Sequence, residues 1–336
     1  MSLFRTTLFL FLSFFFLSCE KKTAPQAEAG LDKIKGLMVE MEKQAQEMST
    51  ELDRVAHYYE SLVQSRDSVL AKQGNLNYTF DGPFSTNLPE QDSSLSSIII
   101  LNTTTDRKQA LEEVLLTNSL DSLFAAFIRK NKMAVQIYSN SAMQVSRVYP
   151  AYDVRNIVDP DIDVTTFNFF YEADSAHNPS RGLVWIPDAY IDPAGKGWIL
   201  SLVHPIYEGD QLFAVLGVDF TVSTLIQNYL ESVDGNFILV NGKGDIVAAK
   251  GEATEFLGMP PLKNHVYRET IQADNFRISD FNLFHSKSAE VREMAQALLF
   301  EKKNSYQFTE EANLKSALGL PFKKIDWYLI ELFPEF

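Results

Sequence analysis

The chain of 336 residues has one cysteine, Cys19, and its thiol stands where it could form a thioether with a diacylglycerol. Arg5 precedes an apolar run from Leu8 to Leu17, interrupted only by Ser13, and Phe16-Leu17-Ser18-Cys19 is followed at once by Glu20-Lys21-Lys22. About ten apolar residues are too few for a permanent membrane helix, which needs roughly 20, but they suit the core of a signal peptide. Ser18 is small enough for a signal peptidase to cut after it, and lipid or palmitate on Cys19 would then anchor the new N-terminus. Residues 1–18 are therefore expected to be removed, and the rest to sit on the bacterial cell envelope, outside the cytoplasm, on the inner or the outer membrane. No second cysteine remains to form an intramolecular disulfide, so packing must stabilise the fold.

Other chemistry is sparse. His57, His177, His204, His265 and His285 are scattered, and none has the spacing of a metal pair such as H-E-x-x-H. No G-x-S-x-G nucleophile turn occurs, and Gly242-Lys243-Gly244 is too short to cradle a phosphate. Asp159 and Asp161 flank Pro160 as loop residues do. The chain is expected to be no enzyme and to need no cofactor or metal. What it does offer is aromatic: Tyr149, Phe170, Tyr171, Trp185 and Tyr190, with Asp219 as a floor, could hold a cation by ring quadrupoles and one carboxylate. By residue type alone the same rings serve equally well as core. Asp219 could instead help cap a helix after Thr221, and Asp192 could only make its Asp-Pro turn.

The balance of charge narrows the partners. Lys plus Arg number 30 and Asp plus Glu 44, a net charge of −14 that becomes one unit more negative once Arg5 is lost. Such a surface repels phosphate backbones and anionic lipid, so nucleic acid is not expected and the membrane link must be the lipid on Cys19. No later segment approaches 18 apolar residues, so any signal sent across a membrane needs a partner.

Several elements must position these residues. After a tether over 19–30, apolar residues recur at spacings of three and four from Leu31 through Ile34, Met38, Met41, Ala45, Met48, Leu52, Val55, Tyr59 and Leu62. This heptad stripe predicts a long helix over 31–74, roughly 60 Å at 1.5 Å per residue for the apolar span. It must lie along two modules, or pair with a second copy through 31–70. Asn75 to Ser97 reads as loop, with Asp81-Gly82-Pro83 as its clearest turn, and Asp106 to Lys130 as one or two helices. The period then changes to two over Ala134–Tyr138, Val145–Tyr149, Phe167–Tyr171, Gly182–Ile186, Gly197–Tyr207 and Gln211–Phe220, the last two forming a hairpin about Glu208-Gly209-Asp210. A connecting helix over Thr221–Ser232 leads to a second set: the hairpin Asn236–Ala248, helical material near Ala289–Leu299, and strands at Asn304–Phe308 and Ile325–Leu332. Strands without intervening helices argue for antiparallel sheets in an α+β fold.

That order, with its turns, resembles the double Cache family of extracytoplasmic sensors, in which a long N-terminal helix supports two PAS-like modules. Phe170-Tyr171-Glu172-Ala173 is similar to the family's aromatic-Tyr pair. Trp185-Ile186-Pro187-Asp188-Ala189-Tyr190-Ile191-Asp192 resembles its turn before the hairpin, and Leu212 to Phe220 its closing Gly-Val-x-Asp strand with one residue fewer before Asp219. Asn236–Ala248 and Asp326-Trp327-Tyr328 are similar to pieces of the second module. The resemblance implies a membrane-distal, ligand-binding module over 75–220 and a connecting helix with a membrane-proximal module over 221–336. It implies that Asp219 receives a ligand's amino group. Amino-acid-binding members carry an Arg two positions before the aromatic-Tyr pair, where this chain has Asn168, and an amide cannot supply the charged fork that grips a carboxylate. An amine or another small polar ligand is therefore preferred, with Arg147 or His204 able to replace the missing charge for an amino acid.

The expected function is a lipid-anchored sensor of a small molecule. Family members usually continue into a membrane helix and a cytoplasmic effector, whereas this sequence stops at Phe336, so a separate envelope transducer is expected. The alternatives are a lipoprotein handing a solute to a transporter, and a structural envelope protein without a ligand.

Overall fold

The computed structural model describes residues 25–72, 74–87, 90, 92–186, 188–192, 198–259, 281–309 and 313–335. Cys19, the signal segment, His265 and most of the Asp192-Pro193-Ala194-Gly195 turn lie outside them.

Helix α1, Pro25–Gln64, is followed after Ser65 by the short α2, Arg66–Lys72. The helix thus begins inside the segment expected to be a tether. Gly30, already helical, lies so close to the second sheet that a Cβ there would come within 2.6 Å of Leu318. The heptad stripe is spent within the chain: Ile34, Met38, Met48, Leu52, Val55, Tyr59 and Leu62 are all buried in one core that also takes Leu200, Leu216, Phe237 and Leu329 from the two sheets. An apolar stripe covered by its own sheets cannot also be the seam of a coiled coil, so the expectation of a homodimer through 31–70 loses its basis.

The first sheet holds β1 (Phe80–Asp81), β2 (Phe84–Ser85), β3 (Ser97–Ile100), β4 (Gln136–Ser141), β5 (Val145–Tyr149), β6 (Val184–Trp185), β7 (Tyr190–Ile191), β8 (Trp198–Glu208) and β9 (Gln211–Thr221). The second holds β10 (Asn236–Asn241), β11 (Ile246–Ala249), β12 (Ser305–Gln307), β13 (Leu314–Pro321) and β14 (Trp327–Pro334). Every pairing is antiparallel. The second sheet runs β11-β10-β14-β13-β12 and the heart of the first β5-β4-β9-β8-β6. Counted within each module, both follow the order 2-1-5-4-3. The fold is α+β, a long N-terminal helix followed by two like modules, as the resemblance implies.

Between β3 and β4 stand two helices, Arg107–Leu116 and Leu120–Lys130, the first capped by Asp106, whose carboxylate accepts from the amides of Lys108 and Gln109 at 2.9 and 3.1 Å. Thr221 caps the connector between modules by accepting from Thr224 N at 3.0 Å. That connector is one helical turn, Val222–Leu225, widened into a π turn over Ile226–Leu230.

Phe167–Tyr171, expected as a strand, is instead a short helix over Asn168–Tyr171 behind a turn at Val164–Thr166. Asp163 accepts from Thr165 N at 2.9 Å and Asn168 from Phe169 N at 2.8 Å. These side chains take backbone donors that a sheet ladder would need, and they override the β preference of four aromatics.

Candidate functional site

Successive strand residues point to opposite faces of a sheet, and in the first module this alternation builds two different surfaces. Asp219 on β9 lies opposite Gln136 of β4 and Ser201 of β8. On the same face, Gly217 lies opposite Tyr138, and Tyr190 of β7 opposite Ile199. Phe220, Leu202 and Trp185 take the other face, which packs on α1.

The face turned away from α1 carries a cavity lined by Gln136, Tyr138, Phe167, Phe169, Tyr190, Asp192 and Asp219, with Asn140, Ser146 and Tyr152 toward one side. About 50 Å³ of it is open to the centre of a water molecule, several times what one water requires. Gly217 is what admits the Tyr138 ring: a Cβ there would lie 2.2 Å from the ring's Cζ. Tyr138 and Phe169 meet edge to face with centroids 5.7 Å apart, Phe167 stacks on Phe169 at 5.4 Å, and Tyr190 follows at 6.3 Å. The result is an aromatic box above a carboxylate.

Asp219 is 1% exposed. Its donors are neutral: Gln136 Nε2 at 2.6 Å and Ser201 Oγ at 2.5 Å, with Tyr190 joined to the same Ser201 hydroxyl at 2.7 Å. Gln136 Nε2 also donates to Asp192 Oδ2 at 3.2 Å, so one amide bridges two buried carboxyl groups. Burial foremost, and then the charge of Asp192, push the Asp219 carboxyl well above the ordinary range. Burial likewise raises the Tyr138 and Tyr190 hydroxyls, which therefore stay protonated as donors. Gln136 Oε1 is buried without a hydrogen-bond partner and lines the same space. Such a site, with a carboxyl awaiting a countercharge, a bare amide oxygen and ring faces around them, suits a small cation that can donate hydrogen bonds.

Of the residues expected at the site, Asp219, Asp192 and Tyr190 are together here and the others are elsewhere. Trp185 is on the α1 face, stacked on Phe220 at 5.6 Å. Tyr149 shares that parity and donates to Ser93 O at 3.0 Å. Phe170 is packed in core beside the cavity, the place in the box being taken by its neighbour Phe169. Tyr171 is exposed and meets His177 edge to face. Asn168 spends its side-chain oxygen on Phe169 N.

Neither Arg147 nor His204 can reach a ligand in this cavity. Arg147 is buried on the other face, where its guanidinium donates to Asp121 at 2.5 Å, Tyr78 OH at 3.1 Å, Val114 O at 3.1 Å and Thr117 Oγ1 at 3.0 Å. His204 is buried against α1, its Nδ1 2.8 Å from Pro205 O and its Nε2 3.4 Å from Asp53. Sequence reasoning missed Gln136, Tyr138, Ser201, Phe167 and Phe169. The pairing of β9 with β4 and β8 places Gln136, Tyr138 and Ser201 beside Asp219, whereas Phe167 and Phe169 lie in no strand and carry no such signal.

No family model matches the chain, and no curated protein matches it. Solved structures do. The chain is similar to the ligand-binding domain of the Pseudomonas fluorescens chemoreceptor CtaA in complex with L-alanine, at 15% identity over 68% of this chain and 85% of that one, with a TM-score of 0.44. It is similar also to the sensory domain of the Campylobacter jejuni chemoreceptor Tlp3, at 16% identity over 91% of this chain and 94% of that one, TM-score 0.44. The Tlp3 ligand-binding domain in complex with L-norvaline is 15% identical, covering 93% of both chains at a TM-score of 0.42.

Among the described residues, no group of three His, Cys, Asp or Glu side chains could hold a metal ion. Among the same residues, no helix is long and apolar enough to cross a membrane.

Proposed function

We propose that this chain is a double Cache sensor whose first module binds a small molecule bearing an ammonium group, an amine or an amino acid. The observation that carries the reading is Asp219: buried, held by neutral donors only, and facing an aromatic-walled cavity. An ammonium entering there would exchange water for a carboxylate, the free Gln136 oxygen and the faces of Tyr138, Phe169 and Tyr190. A ligand carboxylate, if present, would be met by neutral donors, because Arg147 and His204 are committed to the other face.

The site's place in the chain favours sensing over simple carriage. Two residues after Asp219, Thr221 caps the connector, and from that connector Tyr229 OH donates to Gln44 of α1 at 2.7 Å. A shift of β9 on binding would thus act on the element joining both modules and the spine. We place the chain on the envelope through a lipid on Cys19, with a separate partner receiving the change.

A thermal-shift screen of the chain from Glu20 on, which holds every described element, tests the binding claim against amino acids, polyamines, quaternary ammonium compounds and small carboxylates. A ligand at 100 times its Kd raises stability by about 2.7 kcal/mol. Hits confined to ammonium compounds support the reading, and hits confined to carboxylates without an amine contradict it.

A further inference from the structure

A second cavity lies on the opposite side of the first sheet, where α1, the connector and the second module meet. Its walls come from all of them: Met41 and Met48 from α1, Trp185 and Phe220 from the first sheet, Leu225 from the connector, and Trp327 from the second sheet. About 100 Å³ is open to the centre of a water molecule, twice the space at Asp219. Polar groups, Gln44, Gln46 and Lys324 among them, also border it. Three of these are engaged with each other or with the wall: Lys324 Nζ donates to Gln46 Oε1, and Gln44 Oε1 accepts from Tyr229 OH.

An apolar space of this size does not hold water well, since water needs two to four polar partners, and it favours an apolar guest. The lining specifies its shape. The Trp185 and Phe220 rings, stacked on one another within 26° of parallel, both border it with Trp327, while the Met41 and Met48 thioethers are polarisable and pack favourably against a ring.

We infer that this junction is a second ligand site, for a neutral aromatic molecule of one or two fused rings. It is separate from the ammonium site, lying on the other face of the same sheet. Because the guest would touch the spine, the connector and both modules at once, its binding would stiffen the joint through which a change at Asp219 must pass.

N-phenyl-1-naphthylamine, a neutral probe that brightens in apolar surroundings, tests this on the chain from Glu20 on. Two of the three tryptophans, Trp185 and Trp327, line the cavity, so bound probe should quench tryptophan emission as its own emission rises. The expected result is saturable binding of one probe per chain, displaced by indole and weakened at least tenfold in Ala45→Leu, which fills the space from α1. Leu225→Trp fills it from the connector and should act alike if the first variant folds poorly, judged by circular dichroism. Absence of saturable binding, or equal binding to wild type and to a folded filling variant, overturns the inference.

Discussion

Ser201 Oγ donates a 2.5 Å hydrogen bond to Asp219 Oδ1 across the β8–β9 hairpin, and the same hydroxyl meets Tyr190 OH at 2.7 Å. The contact ties the buried carboxyl to the cavity wall, so whatever changes the charge of Asp219 is felt by an aromatic ring of the box.

The first prediction concerns protons. With its carboxyl raised by burial and by Asp192, Asp219 holds a proton in the empty site at pH values where an ordinary aspartate is charged. An ammonium ligand requires the charged form and should expel that proton. Affinity should therefore rise with pH until either Asp219 is fully ionised or the ligand's own amine loses its charge. Calorimetric titration in two buffers of different ionisation enthalpy should show proton release, and identical heats in both would argue against the mechanism.

Glu113 gives a stability prediction independent of the ligand. Buried in the helix Arg107–Leu116, its carboxyl is pushed up to about 8 by burial. A carboxyl raised in the folded state binds its proton more tightly there than in the unfolded chain, so between about pH 4.5 and 8 its contribution falls as pH rises. Glu113→Gln should flatten this part of the curve of melting temperature against pH. A variant curve parallel to that of wild type would refute the assignment.

Arg147 and Asp121 form a buried ion pair, and removing one partner leaves the other charge stranded. Arg147→Met should cost about 3–5 kcal/mol in urea unfolding, and Arg147→Met with Asp121→Leu distinctly less. If the ligand's Kd in a folded Arg147 variant rose as though a carboxylate grip had been lost, the placement of Arg147 on the far face would be wrong.

Gly217 is required by Tyr138, whose ring occupies the space a side chain would fill. Gly217→Ala should destabilise by about 1–3 kcal/mol and weaken ligand binding, because the ring must move into the cavity or out of the sheet. Wild-type melting temperature and affinity in this variant would contradict it.

Much of the architecture was legible because periodicity is a physical consequence of burial. The stripe from Leu31 to Leu62 marked the spine, and the alternation in Val145–Tyr149 marked β5 to the residue. Ser97–Ile100 and Leu314–Pro321 do not read as strands from sequence: the first is a serine followed by three isoleucines without alternation, and the second carries Gly319 and ends in Pro321. Phe167–Tyr171 was misread because aromatic composition suggested a strand where Asp163 and Asn168 had captured the backbone.

The site was half legible for a sharper reason. Counting back from the Glu208–Gln211 turn pairs Asp219 with Leu200, but a bulge between Ile206 and Tyr207 shifts the ladder by one residue and brings Ser201 opposite Asp219 instead. Trp185 pairs with Leu202 on the other face. Sequence adjacency to Tyr190 therefore suggested a box that the sheet divides in two.

The central claim rests on one carboxyl, and calorimetric titration of the chain from Glu20 on with the best ammonium ligand from the screen tests it most directly, wild type against Asp219→Asn. A charge-assisted hydrogen bond contributes about 1.5–3 kcal/mol, so the variant should bind roughly 10- to 100-fold more weakly and release no proton. Unchanged affinity and proton release in a folded Asp219→Asn protein would contradict the account and move the site away from this cavity.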